Sequence, residues 1–131
     1  MGATSNLGRK TNEINDTLDS IVIVNALGDV PGGRTLDVSG VAAGTTVIAA
    51  GHVIVKTAGG AYKPLGVTSG AYAAIDSGEI AVGILKASVL VSDPRAAIVT
   101  IGQINAAAAA KAVGAPYTDA IKKALPHIQF V

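Results

Sequence analysis

Apolar positions enter this chain slowly and then arrive in short bursts. Over residues 1–20 the sequence is rich in Ser, Thr, Asn and Asp, and beyond Met1 its large apolar side chains are Leu7, Ile14 and Leu18. Ile14 and Leu18 stand four apart, so they share one face of a short helix that needs a partner surface to persist. An arm over residues 1–20 is therefore expected, followed by one domain over 21–131. From Ile21 onward, β-branched runs alternate with Gly, Pro and Asp. Residues 21–24, 35–38 and 46–49 read as short strands, with Pro31-Gly32 centring a type II turn. The segment HVIVKTAGGAYKPLGV predicts a hairpin turning at Gly59-Gly60. An uncharged Gly/Ala/Ser passage over 69–75 carries no clear element. Residues 79–91 predict a strand pair or one long bent strand broken at Asp93-Pro94, and 97–101 the next strand.

The last third, 81–131, has the most defined order. Asn105 is a good N-cap for a helix over 106–113, Lys111 sits in its last turn, and Gly114 suits the residue after its end. At about 12 Å long, this helix is not held by alanine propensity alone. Its small side chains instead invite close approach of another backbone, and Ala106 to Ala110 are expected to pack closely, either inside the protomer, the safer reading, or near a subunit boundary. After Pro116, Thr118 caps a second helix over 118–125, with Asp119 at its positive end and Lys122 and Lys123 at its negative end. Pro126 stops it, and Ile128 and Phe130 alternate with Gln129 as in a closing strand. The predicted fold class is mainly β with a minor α+β character: a compact β-rich domain with two short C-terminal helices and a flexible N-terminal arm.

At 131 residues, one domain buries roughly two-thirds of the surface exposed by its unfolded chain. Cysteine is absent, so disulfides and thiolate ligation are excluded. A net charge of +1 without charge blocks argues against a nucleic-acid partner. Residues 38–55 are uncharged and place Gly40 and Gly44 at a membrane-dimer spacing, but the interrupting glycines, Thr45, Thr46 and His52 favour strands and turns, so no membrane partner is expected. No targeting signal is readable. The aromatics are Tyr62, Tyr72, Tyr117 and Phe130, too few for stacking platforms.

Catalytic and cofactor templates fail on residue types. His52 and His127 have no carboxylate or second histidine within four positions, so no metal site is expected. The nine acidic residues are scattered singly. Asp29, Asp76 and Asp93 precede turn residues, where turn-forming and capping roles explain them. GGRT and AGGA lack phosphate-loop spacing. Lys56 and Lys63 flank the Gly59-Gly60 tip instead of occupying it, as a lipoylated or biotinylated lysine does. No enzyme activity and no cofactor are expected.

The succession AGHVIVKTAGGAYKPLGV, EIAVGILKASV and TDAIKKALPHIQFV resembles tailed-bacteriophage head decoration proteins of the lambda type and the related small head-fibre proteins, over residues 51–131. The resemblance implies a homotrimer on the outer capsid surface of the virion, assembled in the host cytoplasm, that bridges subunits of the major capsid protein. In relatives an N-terminal arm joins the capsid contact, which puts Leu7, Arg9, Lys10, Ile14 and Leu18 forward as capsid-binding residues here. Three arms on one trimer gain affinity through effective concentration. The alternative is a surface-binding module, adhesin or head fibre, although no heptad or collagen-like repeat supports a fibre.

Overall fold

The computed structural model describes residues 18–131. They form a mixed α+β domain, mainly strand, with two helices near the C-terminus. Its frame is a six-stranded sheet. Strand β4 (Val53–Lys56) runs antiparallel to β5 (Tyr62–Pro64) on one side and to β8 (Ile80–Leu85) on the other. The next strand across, β11 (Ile98–Ile104), begins beside β8, pairing Ile98 with Leu85 and Val99 with Ile84. Its far half pairs in parallel with β12 (Ile128–Phe130). The opposite edge of β11 carries β1 (Ile23–Asp29), antiparallel and with three register shifts.

Strand periodicity explains how this sheet makes two cores. Side chains alternate faces along a strand, so Val53 and Val55 enter one apolar cluster and Ile54 the other; Ile84 and Leu85 divide in the same way. All five are fully buried. The first cluster is covered by α2 (Ala106–Val113) and α3 (Asp119–Ala124), through Ala108, Ala109, Ile121 and Leu125. The second is closed by Leu36, Ile48 and Ala96, which come from or next to two pairs of short strands. These are β2 (Arg34–Thr35), paired with β10 (Arg95–Ala96), and β3 (Val47–Ile48), paired with β9 (Val89–Leu90). The remaining hairpin joins β6 (Val67–Thr68) to β7 (Ala71–Tyr72).

The helix boundaries follow the capping chemistry. Asn105 accepts the Ala108 amide at 3.1 Å, while Gly114 takes a φ of +86° and donates its amide to the Ala110 carbonyl at 2.9 Å. Thr118 accepts the Ile121 amide at 3.2 Å and starts α3. Alanine in α2 permits the expected close approach: a Cβ placed on Gly51 meets that of Ala109 at 2.8 Å. The hairpin at Gly59-Gly60 and the closing strand also match the sequence pattern.

Five expectations are corrected. Residues 35–38 are not a strand, because β2 ends at Thr35 and 36–38 lie outside any strand. The stretch 21–24 is not one strand: Ile21 and Val22 end a short helix, α1 (Asp19–Val22), whose amides reach the Leu18 carbonyl at 3.1 and 3.0 Å. Residues 79–91 are neither a pair nor one bent strand, because β8 and β9 belong to different sheets. The unassigned passage at 69–75 contains β7, and with β6 it forms a hairpin around Ser69 and Gly70, both at positive φ as a tight two-residue turn requires. Finally, Asp93 and Asp29 are not simple turn acids. Asp93 takes the Arg95 guanidinium at 2.9 and 3.0 Å, and Asp29 faces Lys86 at 3.6 Å; carboxylates that do accept a turn amide are Asp37, from Ser39, and Glu79, from Asp76.

Candidate functional site

Three features of the body bear on function: the root of the N-terminal segment, an apolar strip on β1, and a cleft beside α2. Of the residues put forward for capsid contact, Leu7, Arg9, Lys10 and Ile14 lie outside the described residues. Leu18 lies inside them, half-buried and packed against the first core cluster. Its neighbour Asp19 is bound to the body through its carboxylate, which accepts the Ser88 amide at 2.8 Å and the Ser88 hydroxyl at 2.7 Å. The same hydroxyl accepts the Ala50 amide at 3.0 Å. Body contacts thus reach back to Leu18, three residues before the domain start expected from composition.

Strand β1 is an edge strand, and its stretch Ile23 to Gly28 has no charged residue. Val24 is 53 % exposed and Leu27 71 %. Ile101, paired with Gly28 from the neighbouring β11, adds to the strip, and Ile21 at the end of α1 is exposed as well. A Cβ on Gly28 meets Ile101 at 3.2 Å, so the missing side chain leaves room for this isoleucine to lie across the edge strand. The register shifts in β1 twist the edge, a device that discourages indiscriminate strand pairing.

The cleft has a volume of about 380 Å³ and is lined from the loop at 40–49, the start of β4, the β5–β6 segment and the end of α2. His52 is its titratable group. The imidazole Nε2 lies 2.6 Å from the Leu65 carbonyl, which can only accept. Nε2 therefore carries the proton, leaving Nδ1 as an acceptor in the neutral ring. Burial holds this histidine below its usual 6.5, outweighing the carbonyl's support for the charged form. Below 6.5 the unfolded chain then binds the proton more readily than the native one. Stability is full above that value and falls as pH drops through the lowered native one. A urea midpoint that falls from pH 7 to pH 5, with a shallower fall in His52→Gln, is the expected result; equal slopes would remove His52 as the cause.

The aromatics are committed to structure. His52 meets Tyr72 edge-on at 5.5 Å, Tyr72 stacks on Tyr117 at 6.1 Å, and Tyr117 tilts against Phe130 at 4.9 Å. Tyr117 donates to the Gly51 carbonyl at 2.6 Å and Tyr72 accepts the Val53 amide. Burial pushes both phenols far above their usual range, so they stay neutral. Tyr62 stands outside this column, with Arg34 and Lys56 over its ring.

Elsewhere ion pairs lie along the surface. Lys63 and Glu79 meet at 2.6 Å, and this bond lowers the carboxyl's pKa and raises the ammonium's. Among the described residues, no group of three or more His, Cys, Asp and Glu is placed to hold a metal ion. None of their helices is long and apolar enough to cross a membrane; residues 38–55, weighed above as a span, hold β3 and most of β4.

The sequence singled out the N-terminal segment but missed the strip and the cleft. Val24 and Leu27 look like core residues in a strand pattern, and no local signal distinguishes them. The cleft joins Val41 to Val113, a separation that sequence periodicity does not span. Set against protein-family models, curated proteins and solved structures, the chain matches none of them.

Proposed function

We propose that the protein is a structural, non-enzymatic component of a bacteriophage virion. It binds the outside of the assembled capsid as a homotrimer and bridges neighbouring subunits of the major capsid protein. The observation that carries this reading is the uncharged apolar strip on β1 and β11, set on a body whose Tyr72, Tyr117 and Phe130 rings pack on one another. Exposed apolar surface of this kind marks contact with another protein. The resemblance over residues 51–131 supplies the setting, and the polar segment ahead of Leu18 supplies a second contact.

The strip is assigned to a second copy of the chain. Its lack of charge gives no selection for a charged capsid surface, whereas apolar side chains from adjoining copies match each other. The expected consequence is specific: Leu27→Asp places a charge in the strip while leaving the exposed site's own fold within about 0.5 kcal/mol of the parent. Sedimentation of the parent gives an oligomer and that of Leu27→Asp a monomer. An unchanged oligomer would move the subunit contact off β1. The role itself is tested by co-sedimentation with mature, undecorated capsids, where saturable pelleting supports it and protein left in the supernatant refutes it.

A further inference from the structure

We infer that the strip and the cleft are two halves of one contact, in which Val24 and Leu27 of one copy enter the cleft beside α2 of the next. The strip is built to project. In the pairing of β1 with β11, Ile23, Asn25, Ala26 and Gly28 each have a partner, whereas Val24 and Leu27 fall at two of the register shifts and are passed over. A bulge of this kind bends the strand and re-aims the side chain of the extra residue. Both residues so placed are apolar, and both are more than half exposed. Two shifts so close together also interrupt the regular row of amides and carbonyls with which a strand of another copy would pair. The edge therefore offers knobs in place of a ladder, and knobs are received by a hole.

The cleft is such a hole. Among the described residues, no Asp, Glu, Lys or Arg lines it, and Val41, Val47, Val67 and Val113 give it apolar walls. Residues Ile23 to Gly28 are equally uncharged, so closing one surface on the other buries no unpaired charge. The volume of about 380 Å³ lies in the range of sites that enclose a whole small ligand. One valine and one leucine side chain are no larger than such a ligand.

Placement makes the contact one between different copies. Strand β1 is one edge of the sheet, while Pro64 and Leu65 of the cleft wall come from the end of β5, the edge at the other end of the strand order. No residue of β1 lines the cleft and Leu27 is 71 % exposed, so a copy does not fill its cleft with its own strip. Each copy can give its strip to one neighbour and receive that of another. A contact between two different surfaces is head-to-tail, and it closes into a ring when the successive rotations return to the start. Closure at three copies rests on the homotrimer of the proposed function; the contact itself does not.

Because the chain has no cysteine, disulfide trapping in the full-length protein reads this contact directly. Leu27→Cys and Thr68→Cys are combined in one chain, both at exposed positions, and oxidised in air with copper phenanthroline. Most of the double variant is expected to become covalent dimer and trimer, while each single variant stays monomeric on a denaturing gel. Mixing the two single variants gives covalent dimers and nothing larger. Val24→Cys with Ala42→Cys, a second exposed pair from strip and cleft, is an independent version of the same test.

Dimers formed by Leu27→Cys alone overturn the inference, since strips then meet each other. So does the absence of cross-links in both pairs, whether the protein sediments as a monomer or as an oligomer joined elsewhere; the cleft then belongs to another occupant. A ladder that runs past three copies upholds the contact and counts against the homotrimer. Trapped trimer from a protein that leaves capsids bare upholds the contact and counts against the capsid role alone.

Discussion

Gly83→Ala is expected to lower the melting temperature by roughly 10–15 °C, following a stability loss of about 3 kcal/mol. Gly83 sits in the middle of β8, where Ile54 of β4 is its partner on one side. On the other side the backbone of β11 passes so close that a Cβ on Gly83 overlaps the Val99 carbonyl oxygen and meets the Val99 carbonyl carbon at 2.9 Å. A flexible side chain could move away; a carbonyl in the sheet cannot do so without breaking the pairing of Val99 with Ile84. Both core clusters meet at this point, because Ile84 faces one and Leu85 the other. The local clash therefore spreads to both faces. Gly40→Ala is the control, since nothing lies within 4 Å of its Cβ position and its φ is not positive. Thermal unfolding of the two variants checks the account, and equal melting temperatures contradict it.

Deleting residues 2–17 is expected to abolish capsid binding while leaving a folded oligomer. The end point of the deletion follows from the structure. Residues 1–20 read as one polar segment by composition, but Leu18 packs on the first core cluster and Asp19 is fixed by two hydrogen bonds to Ser88. Charge-assisted bonds of this kind contribute about 1.5–3 kcal/mol, so a cut beyond residue 17 mixes loss of contact with loss of stability. A cut at 17 keeps the root and removes Leu7, Arg9, Lys10 and Ile14 together. Capsid pelleting, with circular dichroism and sedimentation as checks on fold and assembly, measures the effect. Retained binding would transfer the capsid contact to the β body.

Legibility varied with the range of the interactions involved. The ends of α2 were readable because Asn105 and Gly114 act on amides and carbonyls three or four residues away. The β4–β5 hairpin was readable because its turn residues lie between two strands that pair with each other. In α1, by contrast, local preference points the wrong way: Ile21 and Val22 favour strand, yet Asp19 is held by Ser88, 69 positions along the chain. Strand β9 likewise pairs with β3 instead of its sequence neighbour β8, and no turn residue announces that exchange. The β6–β7 hairpin turns on Ser69 at φ +53°, a backbone state that serine seldom adopts.

The candidate sites follow the same division. Composition was enough to pick out the N-terminal segment, but not where its root is fastened. Exposure of Val24 and Leu27 depends on β1 being an edge strand, and that depends on the sheet order. The depressed basicity of His52 comes from its burial, which outweighs the opposing hydrogen bond to the Leu65 carbonyl 13 residues away, and neither is visible in the local sequence.

The most direct test of the capsid role is an electron cryo-microscopy reconstruction of mature, undecorated shells incubated with the full-length protein. Three-lobed density on the outer surface, centred on threefold or pseudo-threefold positions and touching more than one capsid subunit, is the predicted result. Shells that remain bare at saturating protein concentration would contradict it.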